Sequence, residues 1–335
     1  VTIPVKNQPA RQDLYLEVVT GNLEQRAVRK AEISYHPTKY WHRLKGGRVQ
    51  CDLCPRECKL KEGQQGLCFV RACREGEVVL TTYGRSSGFC IDPIEKKPLY
   101  HFHPGSRSLS IATVGCNFRC LHCQNHEISQ WPRERSGIPG TAMSPQDIVE
   151  HAKQSNSTSI AYTYTEPTIF FEYAYDTAVA ARVAGIKNVF VTNGYTTTEA
   201  LEYFAPYLDA ANVDLKSFSE AFYRDVCGAR LAPVKNTIVR MKKGGILVEV
   251  TTLLIPGLND SPEELQAIAD FLVNDLGPET PWHISRFHPT YKLTDRPATP
   301  VNTLARAREI GLQAGLKYVY TGNVPGNEGE NTFCP

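Results

Sequence analysis

No uninterrupted apolar run in this chain is long enough to span a bilayer; the most apolar stretch, 246–255, is broken by Glu249. An excess of one charge is also missing. Lys and Arg number 37 against 35 Asp and Glu, a formal charge of +2, and no dense basic block appears, so nothing argues for a nucleic-acid partner. The opening Val1-Thr-Ile-Pro4 lacks the charged-then-apolar layout of a secretory signal, and the expected compartment is the cytoplasm. No sequence repeat or low-complexity tract is present, which excludes solenoid and linker architectures. At 335 residues the chain is long for one core but suits an α/β barrel with an appendage. Cysteine, by contrast, is abundant: eleven residues, an odd number, clustered as C-x2-C and C-x3-C. In a chain without a signal these read as metal ligands in a reducing compartment.

The most informative run is Gly115-Cys-Asn-Phe-Arg-Cys-Leu-His-Cys-Gln-Asn125. Cys116, Cys120 and Cys123 lie too close in sequence for a disulfide framework, but they can wrap one loop around three corners of a cube. Four thiolates close a 4Fe–4S site. Three leave one iron open to a small molecule, which points to chemistry and not electron storage alone. Upstream, Cys51, Cys54, Cys58 and Cys68 are spaced C-x2-C-x3-C-x9-C. Four thiolates in so short a span fit a structural tetrahedral zinc and equally an auxiliary 4Fe–4S cluster. Zinc is the preferred expectation, because a small module with few apolar residues needs a staple. Cys73, Cys90 and Cys227 are singletons and read as incidental buried thiols.

From about residue 109 short β-rich runs alternate with helical stretches, the pattern of βα units and a parallel sheet. Strands are expected at 108–114, 159–163, 188–192, 211–215, 247–254 and 283–287, with a possible seventh at 317–320. Helices are expected from Ser144 and Ser261 as N-caps, each followed by proline, Glu264 completing a capping box with Ser261. Apolar spacing adds helices at 168–184, 198–207 and 301–314. The expected fold is α/β, a partial (β/α)6 TIM-like barrel with its chemistry at the C-terminal ends of the strands. Residues 1–107 would form a helical and Cys-rich metal-binding module, with a helix at 13–30 and Tyr40 and Trp41 as docking aromatics; 108–320 the barrel; 321–335 a loop tail.

The Cys116/Cys120/Cys123 spacing resembles the signature of the radical SAM superfamily. With 94–105, Gln124-Asn-His-Glu-Ile-Ser-Gln130, Tyr164-Thr-Glu-Pro167, Val213-Asp-Leu-Lys216, Ile255-Pro-Gly-Leu-Asn-Asp260 and the terminal Glu330-Asn-Thr-Phe-Cys-Pro335, the chain looks like the AmmeMemoRadiSam-system radical SAM enzymes, relatives of pyruvate formate-lyase activating enzymes. The resemblance runs from about Cys51 to the end. Related sequences continue to another cysteine, which puts Cys334 as a ligand in question. The resemblance implies that S-adenosylmethionine (SAM) chelates the open iron, that the cluster cleaves it reductively, and that a 5′-deoxyadenosyl radical abstracts hydrogen from substrate. It implies that His122 sits against the adenine, that Glu166 takes the SAM ammonium, and that Asp214 and Lys216 hold its ribose and carboxylate. Strand alternation independently puts Asp214 and Lys216 on one face. Asn193, in Val191-Thr-Asn-Gly194, matches a ligand-face turn in which activases have Asp where this chain has Val191.

An oxidoreductase-type radical enzyme would be oxygen-sensitive and suited to anaerobic conditions. It would take electrons from a reductase such as flavodoxin or ferredoxin and act on a small-molecule substrate or a partner protein, away from membranes. Two other readings remain: an activase that installs a glycyl radical on a partner, and a non-enzymatic iron–sulfur or zinc redox sensor or scaffold. The N-terminal stretch and the glycine-rich tail are expected to cover the C-terminal mouth of the barrel, which favours a small substrate. No catalytic acid, base or hydrogen donor stands out. His283, Arg286, His288 and Tyr291 could face the cavity.

Overall fold

The computed structural model describes residues 35–135, 137–324, 329 and 331–332. Its centre is an eight-stranded sheet. In chain order the strands are β1 (Gly88–Pro93), β2 (Arg107–Ala112), β3 (Ser159–Tyr162), β4 (Lys187–Thr192), β5 (Ala210–Asp214), β6 (Leu247–Leu254), β7 (Trp282–Arg286) and β8 (Val319–Gly322). They lie side by side in that order. The seven from β2 to β8 are parallel, and β1 runs antiparallel along β2. The partial α/β barrel is therefore present, with the possible seventh parallel strand realised. Its last residues, Thr321 and Gly322, are strand where loop was expected, because they complete the pairing with Ile284 and Ser285. The sheet also begins before residue 108, since β1 hydrogen-bonds along the whole of β2.

Helices cover the outer face: α1 (Pro145–Gln154), α2 (Phe171–Val183), α3 (Thr198–Phe204), α4 (Leu231–Lys243), α5 (Pro262–Phe271) and α6 (Val301–Gln313). Ser144 caps α1 in a full capping box with Asp147. Ser261 caps α5, but Glu264 does not close the expected box. Its carboxylate instead accepts from Ser217 Oγ and, at 2.8 Å, from the Phe218 amide, pinning the loop after β5. The expected helix at 168–184 begins as a 3-10 turn, Pro167–Phe170, and α4 went unforeseen. Strands β3, β4 and β5 are buried almost throughout, as a parallel sheet covered on both faces requires. Among the described residues no helix is long and apolar enough to cross a membrane.

The segment between β1 and β2 fills the sheet's concave side. Ile94, Leu99 and Phe102 pack against Ala161, Val189, Ala210 and Leu247, which form one register row across β3 to β6. Two residues further along, Asn212 donates to the Pro98 carbonyl and Glu249 accepts from the His101 amide. This apolar plug occupies the N-terminal side of the strands, so the C-terminal side is left for chemistry.

The Cys-rich region forms two small three-stranded sheets, one of Trp41–Arg43, Val49–Cys51 and Lys59–Leu60, the other of His36–Pro37, Glu77–Leu80 and Arg71–Arg74. Arg71 fastens it to α2 by a buried two-pronged pair with Glu172, at 2.7 and 3.0 Å. Tyr40 docks edge-on against Phe171, as expected of it, whereas the Trp41 indole stays within the module on the Thr38 carbonyl. The expected helix at 13–30 and Cys334 lie outside the described residues.

Candidate functional site

The loop carrying Cys116, Cys120 and Cys123 follows β2, at the C-terminal edge of the sheet. Gly115 enters it with φ +98°, where a side chain would strike the Cys68 carbonyl. The Phe118 amide donates to Cys116 Sγ at 3.3 Å, and Cys123 Sγ lies 3.1 Å from Ser129 Oγ. Burial and then Glu166 push the Cys116 thiol well up; burial and then Cys120 bring Cys123 to about 11. Three buried thiols in one loop that resist ionisation are a poor resting arrangement. They become a good one when cationic iron compensates the charge, so the donor set fits a cluster held by three protein thiolates.

Asp214 ends β5 and Lys216 follows two residues on. Both side chains lie on one face and meet in an ion pair of 2.7 Å. Burial opposes the lysine's charge, but Asp214 and then Cys120 outweigh it and hold its pKa above the ordinary value. Lys216 is thus a fixed cation beside the cysteine loop. Its backbone is gripped from both sides: its amide donates to Tyr223 Oη and its carbonyl accepts from Asn259 Nδ2. Asn259 belongs to the 255–260 loop and also takes the Ile255 amide, so that loop shapes the site from behind.

Glu166 has the extended backbone that Pro167 favours and is fully buried. Its Oε1 accepts from the Thr168 amide and hydroxyl and from Thr192 Oγ1, and its Oε2 from the Asn193 amide at 2.8 Å. A carboxylate has about four acceptor positions. Most are therefore occupied within the protein, and Oε2 keeps the free capacity. Tyr164 sits at φ +63°, held by its hydroxyl on Asp92 at 2.9 Å. Asn193 joins the two loops. Its amide group donates to Asn117 Oδ1 at 2.8 Å and approaches Cys116 Sγ at 3.8 Å, while Gly194 turns at φ +70° against Val213.

His122 is buried, and that burial, with Lys216 nearby, drops its pKa to about 3. It is a neutral ring whose Nδ1 has no partner among the described residues. Cys227, isolated in sequence, is not an incidental thiol: its sulfur, that of Cys120 and a nitrogen of His122 lie within 4.8 Å of one another. A hydrogen bond to Cys227 is the main reason the Cys120 thiol is pushed up, with burial second. The wall bearing Cys227 pairs with the cysteine loop through Arg119 N to the Cys227 carbonyl and Leu121 N to the Val226 carbonyl. Gly228, left-handed at φ +64°, lets Arg119 pass where a Cβ would come within 2.5 Å. No spacing rule could have found Cys227, Asn117 or Ser129, since their partners are remote in sequence or ordinary in type.

Of the residues around β7, Tyr291 stacks on His126 at 4.7 Å and covers the cysteine loop, its hydroxyl on Glu134. His283 is buried in a 2.6 Å contact with Glu249, and Arg286 binds the Thr299 carbonyl. The radical SAM superfamily model matches residues 110–272. "Uncharacterized protein MJ0808" of Methanocaldococcus jannaschii is 50% identical over 296 residues, covering 88% of this chain and 87% of that protein. The chain belongs to the radical SAM superfamily. A second protein of that organism, "Uncharacterized protein MJ0674", is 25% identical over 278 residues, 80% of this chain and 75% of its own. Among solved structures, a radical SAM methyltransferase from Sphaerobacter thermophilus has a TM-score of 0.53 at 14% identity, over 87% of this chain and 78% of that one. Streptococcus suis SuiB bound to S-adenosylmethionine has 0.51 at 15%, over 64% of this chain and 49% of its own. These two share the fold. Superfamily membership makes this chain an enzyme of SAM radical chemistry with a 4Fe–4S cluster.

Proposed function

We propose that this radical SAM enzyme abstracts hydrogen from a small molecule, or from a modest group on a partner, bound at the C-terminal mouth of the barrel. Cluster and SAM, when bound, supply reductive cleavage of the sulfonium and thereby the hydrogen-abstracting species. Cys116, Cys120 and Cys123 hold the cluster. Lys216 and Asp214 receive the SAM carboxylate and ribose, Glu166 Oε2 its ammonium, and His122 lines the adenine side as a neutral ring. Asn193 ties the two loops so that these contacts keep their spacing. A flavodoxin- or ferredoxin-type protein supplies the electron.

The observation that carries this reading is the fixed Lys216–Asp214 pair beside Cys120, on the strand edge that bears the cysteine loop. The preference for a small substrate is supported by cover over that edge. Thr197 binds the Asp52 and Leu53 carbonyls, Arg56 the Asn117 carbonyl and Arg230 the Pro55 carbonyl. From the other side, Lys292 N reaches the Leu121 carbonyl. Water exclusion of this kind suits a reactive radical, whereas an activase must admit a folded loop.

Anaerobically reconstituted protein given dithionite and SAM should yield 5′-deoxyadenosine and methionine. Cys116→Ala, Cys120→Ala and Cys123→Ala should each abolish that yield. A wild-type protein that carries the cluster and leaves SAM intact would overturn the reading. A glycyl-radical EPR doublet on a partner protein would replace the substrate with a polypeptide.

A further inference from the structure

Cys51, Cys54, Cys58 and Cys68 converge from one turn-rich stretch onto a single cavity, also lined by Arg56, Arg71 and Asn117. The room left in it is small, about 20 Å³. With Zn–S near 2.3 Å, a tetrahedral zinc draws its four sulfurs to about 3.8 Å from each other. Among the described residues, no three of these four thiols have sulfurs all within 4.8 Å of one another. The same is true of Cys116, Cys120 and Cys123, the cluster ligands of the superfamily. A cube with an iron under each thiolate holds sulfurs apart in this way; a single ion does not.

The arginines call for an anion in the same cavity. Arg71 Nε is buried and has no partner among the described residues, although both its Nη atoms bind Glu172. Arg56 Nη2 is likewise buried and unpartnered among the described residues, while its Nε donates to the Asn117 carbonyl. Two orphaned cationic donors beside one cavity call for an anion with acceptors to spare. Metal-bound thiolates accept such bonds in either kind of site. A cluster adds sulfides, and hydrogen bonds to cluster sulfur are a usual means of setting its potential.

We propose that Cys51, Cys54, Cys58 and Cys68 hold a second 4Fe–4S cluster, with Arg56 and Arg71 donating to its sulfurs. This goes beyond the function proposed above and does not depend on it. The second cluster would abut the first: the Cys68 carbonyl packs on Gly115, and Asn117 lies both in the cysteine loop and on this cavity.

The test uses the full chain with Cys116→Ala, Cys120→Ala and Cys123→Ala combined, purified anaerobically and reconstituted with iron and sulfide. It should retain about four irons and about four sulfides per chain and give a cluster EPR signal after dithionite. Adding Cys54→Ser should remove both. About one zinc with no iron, or no metal at all, overturns the proposal. Should the combined variant not fold, wild type and Cys54→Ser decide: iron should fall from about eight to about four per chain. Wild type holding about four irons and one zinc overturns it. Failure of the first cluster instead would leave wild type and the combined variant with equal iron.

Discussion

At the residue scale Lys216 is the fixed cation beside the cysteine loop. Its charge is held by Asp214 and Cys120 against the pull of burial, so it is present before any ligand arrives. Charge-assisted hydrogen bonds contribute roughly 1.5–3 kcal/mol. Lys216→Ala should therefore raise the SAM dissociation constant by about tenfold or more while iron content stays at the wild-type level, measured by isothermal titration on the reconstituted protein. Unchanged affinity would remove Lys216 from the binding site. Glu166 behaves differently. With four internal hydrogen bonds it organises the loops at Thr168 and Asn193 as much as it presents itself to a ligand.

Among the elements, α5 does work that its capping motif concealed. Glu264 leaves the Ser261 backbone and reaches the loop after β5, where Ser217 and Phe218 carry the chain directly past Lys216. The carboxylate thus couples a helix start to the cation of the site. Glu264→Ala should lower stability by about 1–3 kcal/mol and also weaken SAM binding, although the residue touches no ligand. Denaturant unfolding and titration of the same sample test both halves; a stability loss with normal affinity would make the contact purely structural. The Tyr223–Cys227 turn with Gly228 is a comparable support, since Gly228 has a left-handed φ of +64° and a Cβ there would press on the Arg119 side chain. Gly228→Ala should impair cluster loading, read as iron per chain after identical reconstitution.

Across the whole molecule, the Cys-rich module and the barrel are joined by the buried Arg71–Glu172 pair. Breaking one side of such a pair leaves an uncompensated charge and costs about 3–5 kcal/mol. Glu172→Gln should show this loss at neutral pH and expose 35–80 to limited proteolysis first. Burial raises the Glu172 pKa, but Arg71 outweighs it, so the folded value lies below the ordinary one. The stabilisation is then complete above the unfolded carboxylate range and fades as pH falls through the folded value. The difference between wild type and Glu172→Gln should accordingly shrink in acid. A constant difference would place the effect in packing instead.

The sequence by itself determined the parallel sheet and the cysteine loop, because both depend on local pattern: β-rich runs between helical ones, and three thiols within eight residues. It determined the Asp214–Lys216 face for the same reason, two residues being one full period of a strand. Only the tertiary structure decided what meets across distance. It brought Cys227 to Cys120 and His122, turned Glu264 to Ser217, and laid 94–102 beneath the site as a plug. It also added β1 to the sheet edge. Each of these joins residues whose own neighbours carry no periodic signal of the contact, so the chain has to close before the partner exists. The convergence of Cys51, Cys54, Cys58 and Cys68 on one cavity belongs to this second kind: spacing along the chain counts the thiols, and only folding gathers them with Arg56 and Arg71.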